Sequence, residues 1–310
     1  MNPHLPRVGV LMATFNGAPW LREQIESILN QEDVSVRLII ADDGSTDNTI
    51  DLISEIKKKD DRVELIDFDS RAGSASANFF RLMMAVDVTT VDYIAFADQD
   101  DIWLPGKLRK AVSCLMNEKY VAYSCATTAF WPDGREKVMS QNSRLRSFDF
   151  LFEGAGQGCS FVLRKSIFLE FANFLRGNKG DLATVHYHDW LLYAFVRMNE
   201  LGWFFDSTPM LRYRQHAFND TGARGSVSGV LGRFEKIKNG WYSAQIESLL
   251  NIFIKAEKFR DRSLVVRQKL ESGRGNFLKK MLNAFWILRN GRRRILDRGV
   301  LAVSIILGWI

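Results

Sequence analysis

Two kinds of segment alternate along the first 130 residues. Arg7 to Thr14 (RVGVLMAT) is a continuous apolar run broken by Asn16-Gly17, which predicts a buried strand and a turn. PWLREQIESILNQ follows, with Pro19 near its start and Leu21, Ile25, Ile28 and Leu29 at helical spacing. The same alternation repeats in VRLIIADDGSTD, NTIDLISEIKKKD, RVELIDFD and SASANFFRLMMAVD. YIAFADQDD then predicts a fourth strand, LPGKLRKAVSCLMN a fourth helix with Pro105 near its start, and VAYSCATTAFW a fifth strand. Strict strand–helix alternation predicts an α/β fold, a Rossmann-like, mainly parallel sheet flanked by helices. In such sheets ligands bind beyond the carboxyl ends of the strands.

After Asp149 the pattern changes. GAGQGCSFVLRKSIF sets three glycines before a short strand and a helix. HYHDWLLYAFVRMNELG reads as a polar entry into a helix that is apolar on most sides, and WFFDSTPMLRYRQH as a strand ending in a cationic cluster. From about Gly222 the chain is Gly/Ser-rich (TGARGSVSGVLG) and then mostly helical. These shifts predict one domain over residues 1–222, with halves near 1–130 and 131–222, and a helical, basic C-terminal extension over 223–310.

Composition fits a globular chain: 46% of the 310 residues are hydrophobic and 25% charged. The start, MNPHLPRVGV, has no signal-peptide pattern. Three widely spaced cysteines, Cys114, Cys125 and Cys159, match neither a disulfide framework nor a zinc ribbon and suggest buried or inert thiols in a reducing cytosol. The net charge of +6 is uneven. From Ala256 to Ile310 there are 13 Lys or Arg against 4 Asp or Glu, so the preceding residues are net acidic. A basic tail suits anionic lipid, nucleic acid or a solvated helix face.

The predicted strand ends carry unusual polar groups: Thr14-Phe15-Asn16-Gly17, Asp42-Asp43-Gly44-Ser45 and Asp98-Gln99-Asp100-Asp101. Crowded carboxylates repel unless a cation or a set of donors offsets them. Asp42 and Asp43 suit ribose or nucleobase donors, and the plainer reading of ADDGSTD is a helix cap by Ser45 or Asp47. In DQDD, one carboxylate of the Asp98/Asp100 pair suits a sugar or ribose and the other a Mg²⁺ or Mn²⁺ ion shared with a diphosphate; the plainer reading is a solvated loop. In HYHDW, Asp189 at a helix start suits a general base, against a plain N-cap with Trp190 packed behind it. Arg214 and His216 of YRQH suit diphosphate oxygens, and a neutral His216 suits a metal. HYHD also opens a rival, a metallohydrolase using His186, His188 and Asp189. Zinc sites want several histidines, whereas only four exist and His4 lies in the N-terminal tail.

Taken in order, TFNG, ADDGSTD, ANFF, DQDDIW, HDW and YRQH resemble a family 2 glycosyltransferase of GT-A fold, and most the bacterial branch of polysaccharide and O-antigen rhamnosyltransferases. The resemblance spans about residues 7 to 222. It implies nucleotide-binding roles for Thr14, Asn16, Asp42 and Asp43. It implies a D-x-D pair in Asp98 and Asp100, with Asp100 the direct metal ligand, and His216 near metal and diphosphate. It implies Asp189 as catalytic base of an inverting transfer from a UDP- or dTDP-linked sugar. Two departures matter. The Q-x-x-R-W of processive synthases is replaced by YRQH, and no stretch reaches the ~20 apolar residues of a spanning helix, so a single sugar addition is expected. The segment before ANFF, SRAGSASA, lacks the usual Asn-x-Gly, which leaves Arg71 without an implied role.

The tail mixes Lys/Arg clusters with Phe, Trp, Leu and Ile. It reads as a peripheral anchor at the inner face of the cell membrane, beside a glycan acceptor carried on lipid, or as a helical cap packed on protein. No nucleic-acid motif accompanies the charge. A non-catalytic sugar-nucleotide or glycan-binding partner of a synthesis complex is a second rival. A nicotinamide dehydrogenase is excluded, because TFNGAP lacks G-x-G-x-x-G.

Overall fold

The computed structural model describes residues 5–140, 144–216, 235–272 and 276–310. His4 and the Thr221–Gly232 stretch, where the sequence predicts a boundary, lie outside the described residues. The chain forms two compact units. The first comprises Met1–Asn142, Ala155–Gly177 and Phe195–Ala223; the second comprises Ser143–Gly154, Asn178–Ala194 and Arg224–Ile310.

The first unit opens with β1 (Arg7–Thr14), α1 (Ala18–Leu29), β2 (Ser35–Asp42), α2 (Thr49–Lys59), β3 (Val63–Ile66), α3 (Ala75–Ala85) and β4 (Tyr93–Ala97). Each of these elements falls on a segment that its periodicity predicts. The strands read as continuous apolar runs because both faces are covered. On one face Val10, Met12, Leu38, Ile40, Ala95 and Ala97 share a core with Leu21 and Ile25 of α1 and Ile53 of α2. On the other, Leu11, Ile39 and Phe96 are equally buried, and Phe96 meets Phe79 of α3 edge-on at 6.1 Å. Ser74 caps α3, accepting from the Ala77 N–H at 3.2 Å.

The chain continues through β5 (Ile102–Trp103), α4 (Lys107–Leu115), β6 (Ala122–Phe130), β7 (Glu136–Met139), β8 (Val162–Arg164), α5 (Lys165–Gly177), α6 (His188–Met198) and β9 (Trp203–Arg214). The sheet order is β3-β2-β1-β4-β8-β6-β9-β5, with β7 on β6. β1 to β4 are parallel, as expected. Beyond β4 the sheet is mixed: β8 runs antiparallel to β4 and β6, β6 and β9 are parallel, β5 pairs antiparallel with β9, and β7 antiparallel with β6. β6 and β9 shift register around Ala126, which pairs with Pro209, a residue that cannot donate to a ladder.

The second unit holds the first turns of α6 and four later helices: α7 (Trp241–Lys255), α8 (Arg260–Ser272), α9 (Phe277–Asn290) and α10 (Ile295–Ile306). Part of the tail's positive charge is spent inside this unit. Arg293, buried, donates to Asp149 Oδ2 at 3.4 Å, to Tyr193 Oη at 3.1 Å and to the Gly154 carbonyl at 2.7 Å. Arg292 donates to Glu153 Oε2 at 3.3 Å. Among the described residues no helix is long and apolar enough to cross a membrane.

Candidate functional site

β1 and β2 end side by side, with Thr14 opposite Asp42 in the register. Thr14 Oγ1 donates to Asp42 Oδ2 at 2.8 Å, Ser45 Oγ to the same oxygen at 2.6 Å, and the Ser45 N–H to Oδ1 at 2.7 Å. Three neutral donors thus hold the carboxylate at the strand end. Gly44 turns the loop at φ 75°, and a Cβ there would lie 2.9 Å from Arg71 Cγ, so both backbone and space call for glycine. The start of α2 is served by Asp47, which accepts from Thr49 N at 3.0 Å and from Ala18 N at 3.2 Å, while Ser45 is committed to Asp42.

Asn16 takes φ 50°, a left-handed conformation that asparagine tolerates. Its N–H donates to Ser45 Oγ at 2.8 Å and its side-chain oxygen accepts from Thr46 N at 2.8 Å. The loop after β4 is tied in as well. The Phe15 N–H donates to Gln99 Oε1 at 2.9 Å, and Gln99 Nε2 returns a bond to the Phe15 carbonyl at 3.0 Å. Three loops from adjacent parallel strands therefore form one hydrogen-bonded rim.

Asp43 faces elsewhere. It is buried, and it accepts from Ala72 N, from Gly73 N at 2.9 Å and from Arg81 at 3.2 Å. Arg71 donates to the Asp43 carbonyl at 2.9 Å and lies over the Phe15 ring, 4.6 Å from its centroid. Asp43 therefore fastens the loop between β3 and α3 to the rim. Asp43→Ala strands two N–H groups and a guanidinium, and we expect it to lower the unfolding free energy by about 3 kcal/mol in urea titrations.

The second half of the rim joins DQDD to the end of β9. His216 Nε2 lies 2.8 Å from Asp100 Oδ2, and its ring stacks on Trp20 at 4.0 Å with planes 4° apart. Arg214 donates to the Asp100 carbonyl at 2.8 Å, to Glu23 at 2.5 Å and, through its backbone N–H, to Asp101 Oδ1 at 3.2 Å. Burial raises the Asp100 carboxyl, opposed by the His216 contact. Asp98 also stands at this strand end, and its carbonyl accepts from Gln24 Nε2 at 2.9 Å.

Two residues that the motifs do not single out lie behind the rim. Asp101 is fully buried; burial, then Asp100 and Asp98, pushes its carboxyl well above the ordinary range. Lys107 is also fully buried, its ammonium 3.3 Å from the Trp103 ring centroid, and burial pushes it down to about 8. Lys107 does carry a sequence signal, since it shares the helical face of Leu108, Ala111, Val112 and Leu115. Trp20 carries none.

Two sets of side chains come into question for a cation. Asp98, Asp101 and Cys159 have ligand atoms within 4.8 Å of one another. This set does not suit Mg²⁺ or Mn²⁺, because a thiol is a soft donor, burial raises both the Cys159 thiol and the Asp101 carboxyl, and hard cations want ionised oxygens. Asp100 with His216 does suit one: a carboxylate and an imidazole already face each other, and substrate oxygens can complete the sphere.

Asp189 belongs to the second unit, in the first turn of α6, where its Oδ1 accepts from the Trp190 N–H at 2.7 Å. Trp190 is buried and donates to the Phe150 carbonyl at 2.8 Å. The zinc reading of HYHD finds no support: among the described residues, His186, His188 and Asp189 do not gather as a ligand group. His186 packs edge-on against Trp241 at 5.4 Å. His188 is half-buried with its Nε2 shielded from solvent, and burial pushes it down to about 3 from its ordinary 6.5. As pH falls below about 6.5 the unfolded chain gains a proton that the folded chain refuses, so stability falls by about 1.4 kcal/mol per pH unit until about 3. Between pH 6.5 and 5 we expect the native chain to lose about 2 kcal/mol more than His188→Leu, measured by urea unfolding at both values.

Residues 9–172 match the model of glycosyl transferase family 2. The chain is 35% identical over 279 residues to a dTDP-rhamnosyl transferase, RfbG, of Shigella flexneri, covering 90% of this chain and 94% of that protein. A UDP-Glc:alpha-D-GlcNAc-diphosphoundecaprenol beta-1,3-glucosyltransferase, WfaP, of Escherichia coli is 33% identical over 118 residues, 38% of this chain and 45% of that one. Among solved structures, S. aureus TarS 1–349 in complex with UDP aligns with a TM-score of 0.54 at 12% identity, over 96% of this chain and 81% of that one, a likeness of fold. On the family match and the RfbG relationship, the chain belongs to glycosyl transferase family 2.

Proposed function

We propose that this chain transfers one sugar, with inversion, from a nucleoside-diphosphate donor to a hydroxyl of a growing surface polysaccharide or lipid-linked glycan. The observation that carries the reading is the single hydrogen-bonded rim formed by TFNG, DDGST and DQDD at the carboxyl ends of three parallel strands. Thr14, Asn16 and Asp42 form the wall for the nucleoside, with Asp43 and Asp98 supporting it. Arg214 fixes the DQDD loop and sets its positive charge close to the diphosphate. Asp100 and His216 hold Mg²⁺ or Mn²⁺, which when bound offsets the negative charge that grows on the leaving diphosphate. Asp189 takes the proton of the acceptor hydroxyl as its oxygen bonds to C1 of the donor sugar, and the bond from C1 to the diphosphate breaks on the opposite face. The relationship to RfbG favours dTDP-rhamnose as donor. A lipid-carried acceptor places the work at the inner face of the cell membrane.

The test is release of nucleoside diphosphate from a panel of dTDP-, UDP- and GDP-sugars, with Mn²⁺ or Mg²⁺ and then with chelator. Slow, metal-dependent hydrolysis of dTDP-rhamnose is expected. Failure of every sugar nucleotide to bind in calorimetry, with and without metal, overturns the reading.

A further inference from the structure

The second unit carries an exposed apolar surface. α9 has two apolar faces. Ala284 and Ile287 are buried on one, whereas Phe277, Leu278, Met281, Leu282, Phe285 and Leu288 are 40 to 68% exposed. At about 100° per residue these six fill an arc of about 140° beside the buried side. A helix that meets only water carries polar residues there. α10 repeats the pattern: Leu301, Ala302 and Ile305 are buried, and Ile295, Leu296, Val303 and Leu307 are 50 to 82% exposed. Single exposed apolar side chains are ordinary, but a continuous stripe marks an interaction surface.

Charge narrows the partner. Residues 276–310 hold seven Lys or Arg and one acid, Asp297, which Arg292 approaches at 3.4 Å. Arg293 is buried against Asp149 and Glu153, and Arg298 donates to the Leu288 carbonyl at 2.7 Å. Lys279 and Arg289 are exposed along one flank of the α9 stripe, Arg289 within its arc and Lys279 about 60° beyond its edge. An apolar band with cations along its flank suits a surface that is anionic above and apolar beneath. A second copy of this chain would set those cations against their own kind.

We propose that α9 and α10 lie in the interfacial plane of an anionic phospholipid bilayer, with the α9 stripe in the acyl boundary and Lys279 and Arg289 among the phosphates. At 14 residues α9 is about 21 Å long, too short to span a core of about 30 Å, so it lies on the bilayer. The proposal rests on the lipid-linked acceptor reading for its purpose, while the surface itself is testable without turnover.

The experiment is flotation of the full chain with phosphatidylcholine vesicles and with vesicles that also contain phosphatidylglycerol. Binding to the anionic vesicles is expected. Leu278→Glu with Phe285→Glu weakens it about a hundredfold. Lys279→Glu with Arg289→Glu, or high salt, weakens it about tenfold. Melting temperature reports folding, and Leu296→Glu on α10 serves if the first pair lowers it. Equal binding to neutral vesicles, or binding untouched by these substitutions, overturns the proposal. So does a dimer in light scattering that Leu278→Glu with Phe285→Glu converts to monomer, which assigns the face to a second copy. Donor binding by calorimetry runs alongside: if it persists while flotation fails, the surface proposal falls alone.

Discussion

Asp189→Asn lowers the transfer rate by about a thousandfold and leaves donor binding within about twofold of the native chain. A positioned general base contributes about 10² to 10⁴ to a rate, and asparagine cannot accept the acceptor's proton. The choice of asparagine matters. Asp189 Oδ1 accepts from the Trp190 N–H at 2.7 Å, and an amide oxygen preserves that bond and the helix start it fixes. If Asp189 served only as that cap, Asp189→Asn would be silent and Asp189→Ala would cost stability with little effect on rate. Steady-state kinetics with donor and acceptor, beside urea unfolding of both variants, separates the two outcomes. A native rate in Asp189→Asn removes the base assignment and leaves donor binding untouched.

The first half of the fold is legible because its strands are buried on both faces and its helices on one. Continuous apolar runs such as VGVLMA and LIIA alternate with segments of period 3.6, and few other folds accept that order. Legibility ends where elements become too short to show a period. β5 has two residues and β8 three, so their places in the sheet follow from partners in β9, β4 and β6. Strand direction beyond β4 depends on how the connections cross, which local pattern does not record. The second unit draws in Ser143–Gly154 and Asn178–Ala194, segments too short and irregular to announce where they pack. In α9 the pattern is misleading, since both faces are apolar and only the structure shows which is buried.

The rim followed from a single rule, that strand ends in a parallel sheet gather at one edge. What the rule could not give was the wiring. Ser45 was open to the role of helix cap, yet its hydroxyl bridges Asn16 and Asp42. Gln99, between two aspartates, acts as a backbone mimic for Phe15. Trp20 stacks on a histidine nearly two hundred residues away, a pairing with no local signal. These contacts set the carboxylates apart: Asp43 is tied to a loop and Asp101 is fully buried, while Asp100 faces His216 at 2.8 Å.

Asp100→Ala therefore abolishes metal-dependent donor hydrolysis, with a loss of about a thousandfold or more, and chelator has no further effect on what remains. The expectation follows from where the charge is needed. The leaving diphosphate gains negative charge as the bond to C1 breaks, and a site that offsets it supplies the largest share of many rate enhancements. Asp100 is 8% exposed, so its carboxylate meets little water, and burial raises its carboxyl in the free chain. A bound cation reverses that preference, so metal affinity falls as the pH is lowered and protons compete for Asp100. His216→Ala should weaken metal binding by a smaller factor, since substrate oxygens and Asp100 remain. Because the two side chains touch at 2.8 Å, their losses are not additive: the double variant is scarcely worse than Asp100→Ala. Asp101→Asn supplies the contrast. Its Oδ1 accepts from the Arg214 N–H and the side chain sees no solvent, so the variant loses stability but keeps the response to metal and chelator. Titration of Mn²⁺ into the native chain and the four variants, with and without dTDP, measures all of this directly. Equal Mn²⁺ affinity in Asp100→Ala and the native chain assigns the ion elsewhere, and with it the reason that YIAFA ends in three carboxylates.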